Sequence, residues 1–129
     1  MQVAALDHVN IETEDVDGTA RFYAEILGLT SGKRPEFGRP GHWMYANGQP
    51  VIHLITPDPG NAMVTGSHDA AISHFALRIE NYDDAMAHLD RHGIGYQKAD
   101  VSGTAMRQLF FDDPNGVLVE LIHIPEGAR

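Results

Sequence analysis

The sequence predicts an α+β fold built from two βαβββ modules. Three observations carry this prediction. A strand followed by a helix that stops at a glycine can be read over residues 6–28, and the same pattern returns at 72–93. Further on in each half, MYANGQPVIHLI (44–55) can be laid on FDDPNGVLVELI (111–122), two apolar strands around an Asn-Gly turn signal.

LDHVNIE at 6–12 alternates as a strand does, and Asp15 and Asp17 lead into GTARFYAEILG. There Phe22 and Ile26, and Tyr23 and Leu27, fall four apart, and Gly28 stands where a helix-ending glycine belongs. We assign Phe22 and Tyr23 to packing. GKRPEFGRPGH (32–42) is irregular and has no equally long counterpart in the second half, which makes it a candidate pocket wall. QPVIHLI (49–55) is apolar on both faces apart from His53, the pattern of a strand between two layers. The stretch from 56 to 70 is rich in Pro and Gly and has no periodicity. The expected organisation is a first module at 1–58, a linker at 59–70 and a second module at 71–129, within one structural domain overall.

In the second half ISHFALRI is strand-like, and Asn81 precedes YDDAMAHLDRHG. Tyr82, Met86 and Leu89 share one helical face, Asp83 and Asp84 in the first turn and Arg91 and His92 in the last suit the helix dipole, and Gly93 ends the helix. The middle strands of each module carry the weakest signal.

Composition narrows the function. The chain carries Lys+Arg 9 against Asp+Glu 18, a formal net charge of -9, with no basic run or basic-aromatic stripe. Nucleic acid and anionic membranes are poor partners for such a surface. The N-terminus lacks a basic region followed by an apolar stretch, and no segment approaches the ~20 apolar residues of a membrane span. The expected location is cytoplasmic. There is no cysteine, so any metal must bind through His, Asp or Glu.

The repeat places such groups in pairs. His8 falls opposite His74, and His53 opposite Glu120, the two offsets differing by one residue. Each is read as sitting within an apolar strand, where a polar side chain needs a partner. If the modules pack about a pseudo-two-fold axis, the first and last strands of each contribute one inward ligand, and all four converge. Imidazole and carboxylate suit one divalent transition metal, Fe, Mn, Ni, Co or Zn, and two His with one carboxylate is the facial arrangement of oxygen-using iron enzymes. For His53 the alternatives are contact with substrate or a hydrogen bond to another ligand. Asn10 and Glu12 share the face of His8, and Ala76 and Arg78 that of His74. Asn10 and Arg78 are therefore candidates to orient an anionic or carbonyl-bearing substrate, with a strand-end salt link or a solvated position as the alternative. Trp43, Tyr45 and Phe110 are candidates to line an apolar pocket, with a core role as the alternative. His42 in the loop, His68 in the linker, His88 and His92 on the second helix and His123 after the last strand are read as surface residues.

LDHVNIETEDVDGTARFYAEILGL, PVIHL, SHFALRI and FFDDPNGVLVEL together resemble the vicinal oxygen chelate superfamily, and the resemblance covers nearly the whole chain. That superfamily includes glyoxalase I, extradiol dioxygenases, methylmalonyl-CoA epimerase, and fosfomycin- and bleomycin-resistance proteins. DPNG followed by VLVEL is the most specific part. The resemblance implies paired βαβββ units curling into half-barrels around a central site. It further implies a divalent metal on the positions of His8, His74 and Glu120, a frequent fourth ligand at that of His53, and a homodimer. Pairing of modules within one chain or between two chains is left open.

Departures are informative. Phe110 stands where extradiol enzymes usually carry a tyrosine, and no histidine occurs between 93 and 122. Glu12 and Pro57 stand where bacterial glyoxalase I has an arginine and an asparagine, which speaks against a glutathione adduct. The potassium loop of the fosfomycin enzymes cannot be located, and bleomycin-binding relatives lack the ligands this chain keeps. The expected function is therefore that of a metal-dependent enzyme on a small oxygen-chelating substrate, with glyoxalase-type lyase or isomerase chemistry favoured and Glu120 moving a proton. The alternatives are an Fe(II) dioxygenase and a non-catalytic binding protein of the resistance type.

Overall fold

A computed structural model describes residues 1–57 and 72–128. The linker expected at 59–70, with His68 in it, lies outside them. The chain divides into two compact units, Met1–Thr65 and Gly66–Arg129.

The first unit runs β1 (Val9–Glu12), α1 (Val16–Glu25), β2 (Thr30–Gly32), β3 (Gly41–Ala46) and β4 (Gln49–Ile55). The second repeats that order as β5 (His74–Ile79), α2 (Tyr82–Arg91), β6 (Gln97–Asp100), β7 (Arg107–Asp112) and β8 (Leu118–His123). Each unit forms a four-stranded mixed sheet, ordered β1-β4-β3-β2 in one and β5-β8-β7-β6 in the other. In both, the first and last strands pair in parallel and the rest antiparallel.

The helix ends follow the local chemistry. Asp15 caps α1 by accepting the Gly18 N–H at 2.8 Å, and Asn81 caps α2 by accepting that of Asp84 at 3.0 Å. At the other end Gly28 (φ 69) and Gly93 (φ 66) turn left-handed, so that Leu29 reaches back to the Tyr23 carbonyl and Ile94 to that of Leu89. Tyr23, Met44, Ile52 and Leu54 are fully buried in the first unit, as are Leu89, Leu109 and Val119 in the second. Burying one such side chain stabilises the fold by roughly 1.5–3 kcal/mol.

The two hairpins solve one spacing in two ways. Met44 pairs with Ile52 and Phe111 with Val119 across connections of equal length. In the first, a register shift between Met44 and Tyr45 absorbs a residue, and Asn47 (φ 48) with Gly48 (φ 77) makes a two-residue turn of the I′ kind. In the second the strands stay in register, and the Asp113 carboxylate organises the longer loop by accepting the N–H groups of Asn115 at 2.7 Å and Val117 at 2.9 Å. This difference puts the two Asn-Gly pairs one residue out of step.

Several placements differ from expectation. His8 precedes β1, because pairing with β4 begins only at Val9, and His74 opens β5 opposite Leu118, so neither sits mid-strand. Only His53 and Glu120 do, and both are buried. His42 belongs to β3 and not to the preceding loop, held by contacts to Ser31 at 2.9 Å and Asp17 at 2.7 Å. His123 is the last residue of β8, with a shielded Nδ1 that has no hydrogen-bond partner among the described residues, and His92 caps α2.

Candidate functional site

Register brings equivalent residues together in each sheet. In the first unit Asn10 and Trp43 lie directly across from His53 on either side. In the second, Ala76 and Phe110 flank Glu120 in the same way. Strand alternation places all six on the face opposite to that of Ile52 and Leu54, or of Val119 and Leu121.

In the first unit three rings form a stack. Trp43 lies 4.1 Å from His53 at an interplanar angle of 11°, and His53 lies 3.7 Å from His8 at 12°. His53 Nε2 donates to the Pro50 carbonyl at 3.0 Å, which leaves the Nδ1 lone pair of the neutral ring unprotonated. His8 Nδ1 donates to Asp7 Oδ2 at 2.7 Å. Burial pushes His53 below the ordinary histidine value of 6.5, and the positive charge of a protonated His8 acts in the same direction against the opposing hydrogen bond to Pro50. A ring kept neutral is the form that binds a metal.

Beside this stack is a cavity of about 340 Å³, lined by Asn10, Arg34, Phe37, Arg39, Trp43 and His53 among others. Arg34, Phe37 and Arg39 come from the irregular stretch at 32–42, which thus forms the wall of a pocket. Tyr45 is not among its lining residues: its ring covers Gly32, where a Cβ would come within 2.8 Å, and its hydroxyl donates to the Lys33 carbonyl.

In the second unit His74 Nε2 stands 2.9 Å from Glu120 Oε2, while the other carboxylate oxygen accepts from Gln108 Nε2 at 2.8 Å. The Ser73 hydroxyl lies 3.0 Å from His74 Nδ1, and the Phe110 ring stands edge-on to His74 at 5.7 Å. Glu120 is only 5% exposed, so this carboxylate meets an imidazole and an amide in place of water. Arg78 is not drawn to it; its Nη2 donates to the Ile124 carbonyl at 3.3 Å. Gln108 is a further residue of this site, and no motif in the sequence marks it. Its signal was alternation, since it lies two residues from Phe110 on the same face and hence diagonal to Glu120.

The donor chemistry fits a divalent metal. Nitrogen and oxygen donors 2.9 Å apart, as in His74 and Glu120, have the spacing of adjacent ligands with bonds of roughly 2.1 Å. No group of three or more His, Cys, Asp or Glu side chains placed to hold a metal ion occurs among the described residues; His74 and Glu120 bring two donor atoms together, while His8 and His53 stack face to face. None of the helices among the described residues is long and apolar enough to cross a membrane.

Comparison with known proteins agrees with this architecture. The chain is 28% identical over 124 residues to Glyoxylase I 4 of Arabidopsis thaliana, covering 94% of this chain and 71% of that protein. It is 29% identical over 118 residues to the uncharacterized protein YaeR of Escherichia coli K12, covering 88% and 92%. Its fold is like that of a glyoxylase/bleomycin resistance protein/dioxygenase domain from Frankia sp. EAN1pec, with TM-score 0.74 at 20% identity over 98% of this chain and 96% of that one. The family model that describes this group matches residues 5–121, and the chain belongs to the Glyoxalase/Bleomycin resistance protein/Dioxygenase superfamily.

Proposed function

We propose that this protein is a divalent-metal-dependent enzyme acting on a small molecule that offers two adjacent oxygens, with lyase or isomerase chemistry of the glyoxalase type. The ligands in this reading are His8, His74 and Glu120, with His53 as the fourth. The observation that carries it is the Glu120 carboxylate, which is buried and held at 2.9 Å from His74 Nε2. Removing a carboxylate from water is unfavourable unless a cation or strong donors offset the loss, and a glutamate buried with one amide and one imidazole beside it is suited to taking a cation as well.

A metal bound there would supply Lewis acidity toward the substrate oxygens. The chain's own residues do the rest. Gln108 holds Glu120 Oε1, so Oε2, which faces His74 Nε2, is the oxygen that takes up and returns a proton in this reading. Trp43 covers His53, limits its access to water, and offers a flat surface beside the cavity.

The test begins with metal-free protein titrated by calorimetry with Zn(II), Ni(II), Co(II), Mn(II) and Fe(II). Saturable binding to a single site, lost in Glu120→Ala and His74→Ala, is expected. Activity on a panel of 2-oxo and 2-hydroxy carbonyl compounds should need the metal and be unchanged without oxygen. If no metal binds and Glu120→Ala leaves small-molecule binding untouched, a sequestering protein replaces this reading. Consumption of oxygen during turnover would replace it with a dioxygenase.

A further inference from the structure

The cavity beside His53 has a charge opposite to that of the protein. The chain carries a net -9, yet no Asp or Glu is among the residues lining this cavity, while Arg34 and Arg39 both are. Arg39 has an engagement of its own, donating through Nη2 to the Thr56 carbonyl. Arg34 is different. Its Nη2 donates to the Arg39 carbonyl at 3.1 Å, but its Nε is shielded from solvent and has no hydrogen-bond partner among the described residues. That shielded Nε is as far out of reach of a molecule in the cavity as it is of water, so what Arg34 offers a ligand is its permanent positive charge at the cavity wall.

Arg34 is also held in place. Its guanidinium lies 4.9 Å from the centre of the Phe37 ring. It rests against Gly41, where a Cβ would come within 2.7 Å of Arg34 Nη2 and 2.3 Å of the Leu54 carbonyl. The glycine thus leaves room for the planar group to settle onto the strand. The rings of Phe37 and Trp43 are 6.1 Å apart, and both line the cavity. At about 340 Å³ the space suits a molecule of one ring and a short side chain.

We propose that this cavity binds a planar carboxylate, with Arg34 receiving the carboxylate and Trp43 and Phe37 flanking the flat apolar part. A carboxylate matches the permanent positive charge of the guanidinium at the wall of a cavity whose lining holds no acidic side chain. This assignment names the substrate class of the metalloenzyme reading above and rests on it for catalysis, but the binding itself needs only the first unit.

Trp43 is the sole tryptophan of the chain, so its fluorescence reports this cavity directly. Metal-free protein is titrated with phenylglyoxylate and, separately, with its uncharged amide. The acid should quench Trp43 saturably, with the amide weaker by about tenfold or more, the loss of a charge-assisted contact. Arg34→Gln should bring the acid down to the affinity of the amide, and Arg34→Lys should fall between, keeping the charge but not the planar group that Phe37 and Gly41 hold in place. Equal affinity for acid and amide in the unaltered protein would overturn the proposal without any variant, as would no quenching by either compound. Undiminished preference for the acid in Arg34→Gln would overturn the assignment of that residue. Metal titration of the same preparation separates the two readings: metal bound without anion preference sinks this one, and anion preference without metal binding sinks the other.

Discussion

Gln108 donates to one oxygen of Glu120 while His74 stands 2.9 Å from the other, so both carboxylate oxygens are engaged within a single sheet. Gln108 fixes the rotation of the carboxylate about its last bond and therefore decides which oxygen meets the imidazole.

On the proposed metalloenzyme reading, removing that amide should loosen metal binding without deleting a ligand. Gln108→Ala is expected to lower metal affinity by roughly 10–100-fold, the usual effect of losing a group that orients a ligand. Competition titration against a chromogenic chelator measures it, and affinity equal to that of the unaltered protein would show that Gln108 orients nothing.

Protonation of His53 should be visible in Trp43. Burial lowers the pKa of this ring from 6.5, so the folded protein favours the neutral form more strongly than the unfolded chain does. The resulting contribution to stability is complete above pH 6.5 and is lost as pH falls from there through the lowered folded value. In metal-free protein a fluorescence titration of Trp43 should show a transition with its midpoint below 6.5, absent in His53→Ala. A midpoint at or above 6.5 contradicts the burial argument.

The first hairpin depends on a positive φ at Gly48 (φ 77). Gly48→Val is expected to lower stability by about 1–2 kcal/mol, since a β-branched residue fits that conformation poorly. Urea unfolding should register the change in midpoint with an unchanged slope.

Leu54 is fully buried next to His53 in β4, on the other face of the strand. Leu54→Ala should destabilise the protein by roughly 2–5 kcal/mol through the cavity it leaves. A loss well below 1 kcal/mol in thermal or urea unfolding would mean that this core is not packed as described.

Periodicity determined much of this protein by itself. Alternation, helical spacing and the stop glycines Gly28 and Gly93 specify the order of elements in both halves, because each is a local preference of the backbone. The pairing of His53 with Glu120 was legible for the same reason, since a repeat preserves strand positions. Tertiary structure alone decided the rest. β5 begins level with β8, at His74 opposite Leu118, whereas β1 begins at Val9 opposite Ile52, inside β4, which leaves His8 outside its strand and His74 at the start of one. Arg34 and Phe37 come to the His53 cavity, and Tyr45 turns away to Lys33, through irregular backbone and a register shift that have no period to read. Local preference fixes what each segment becomes, whereas the neighbours of a side chain depend on residues distant along the chain.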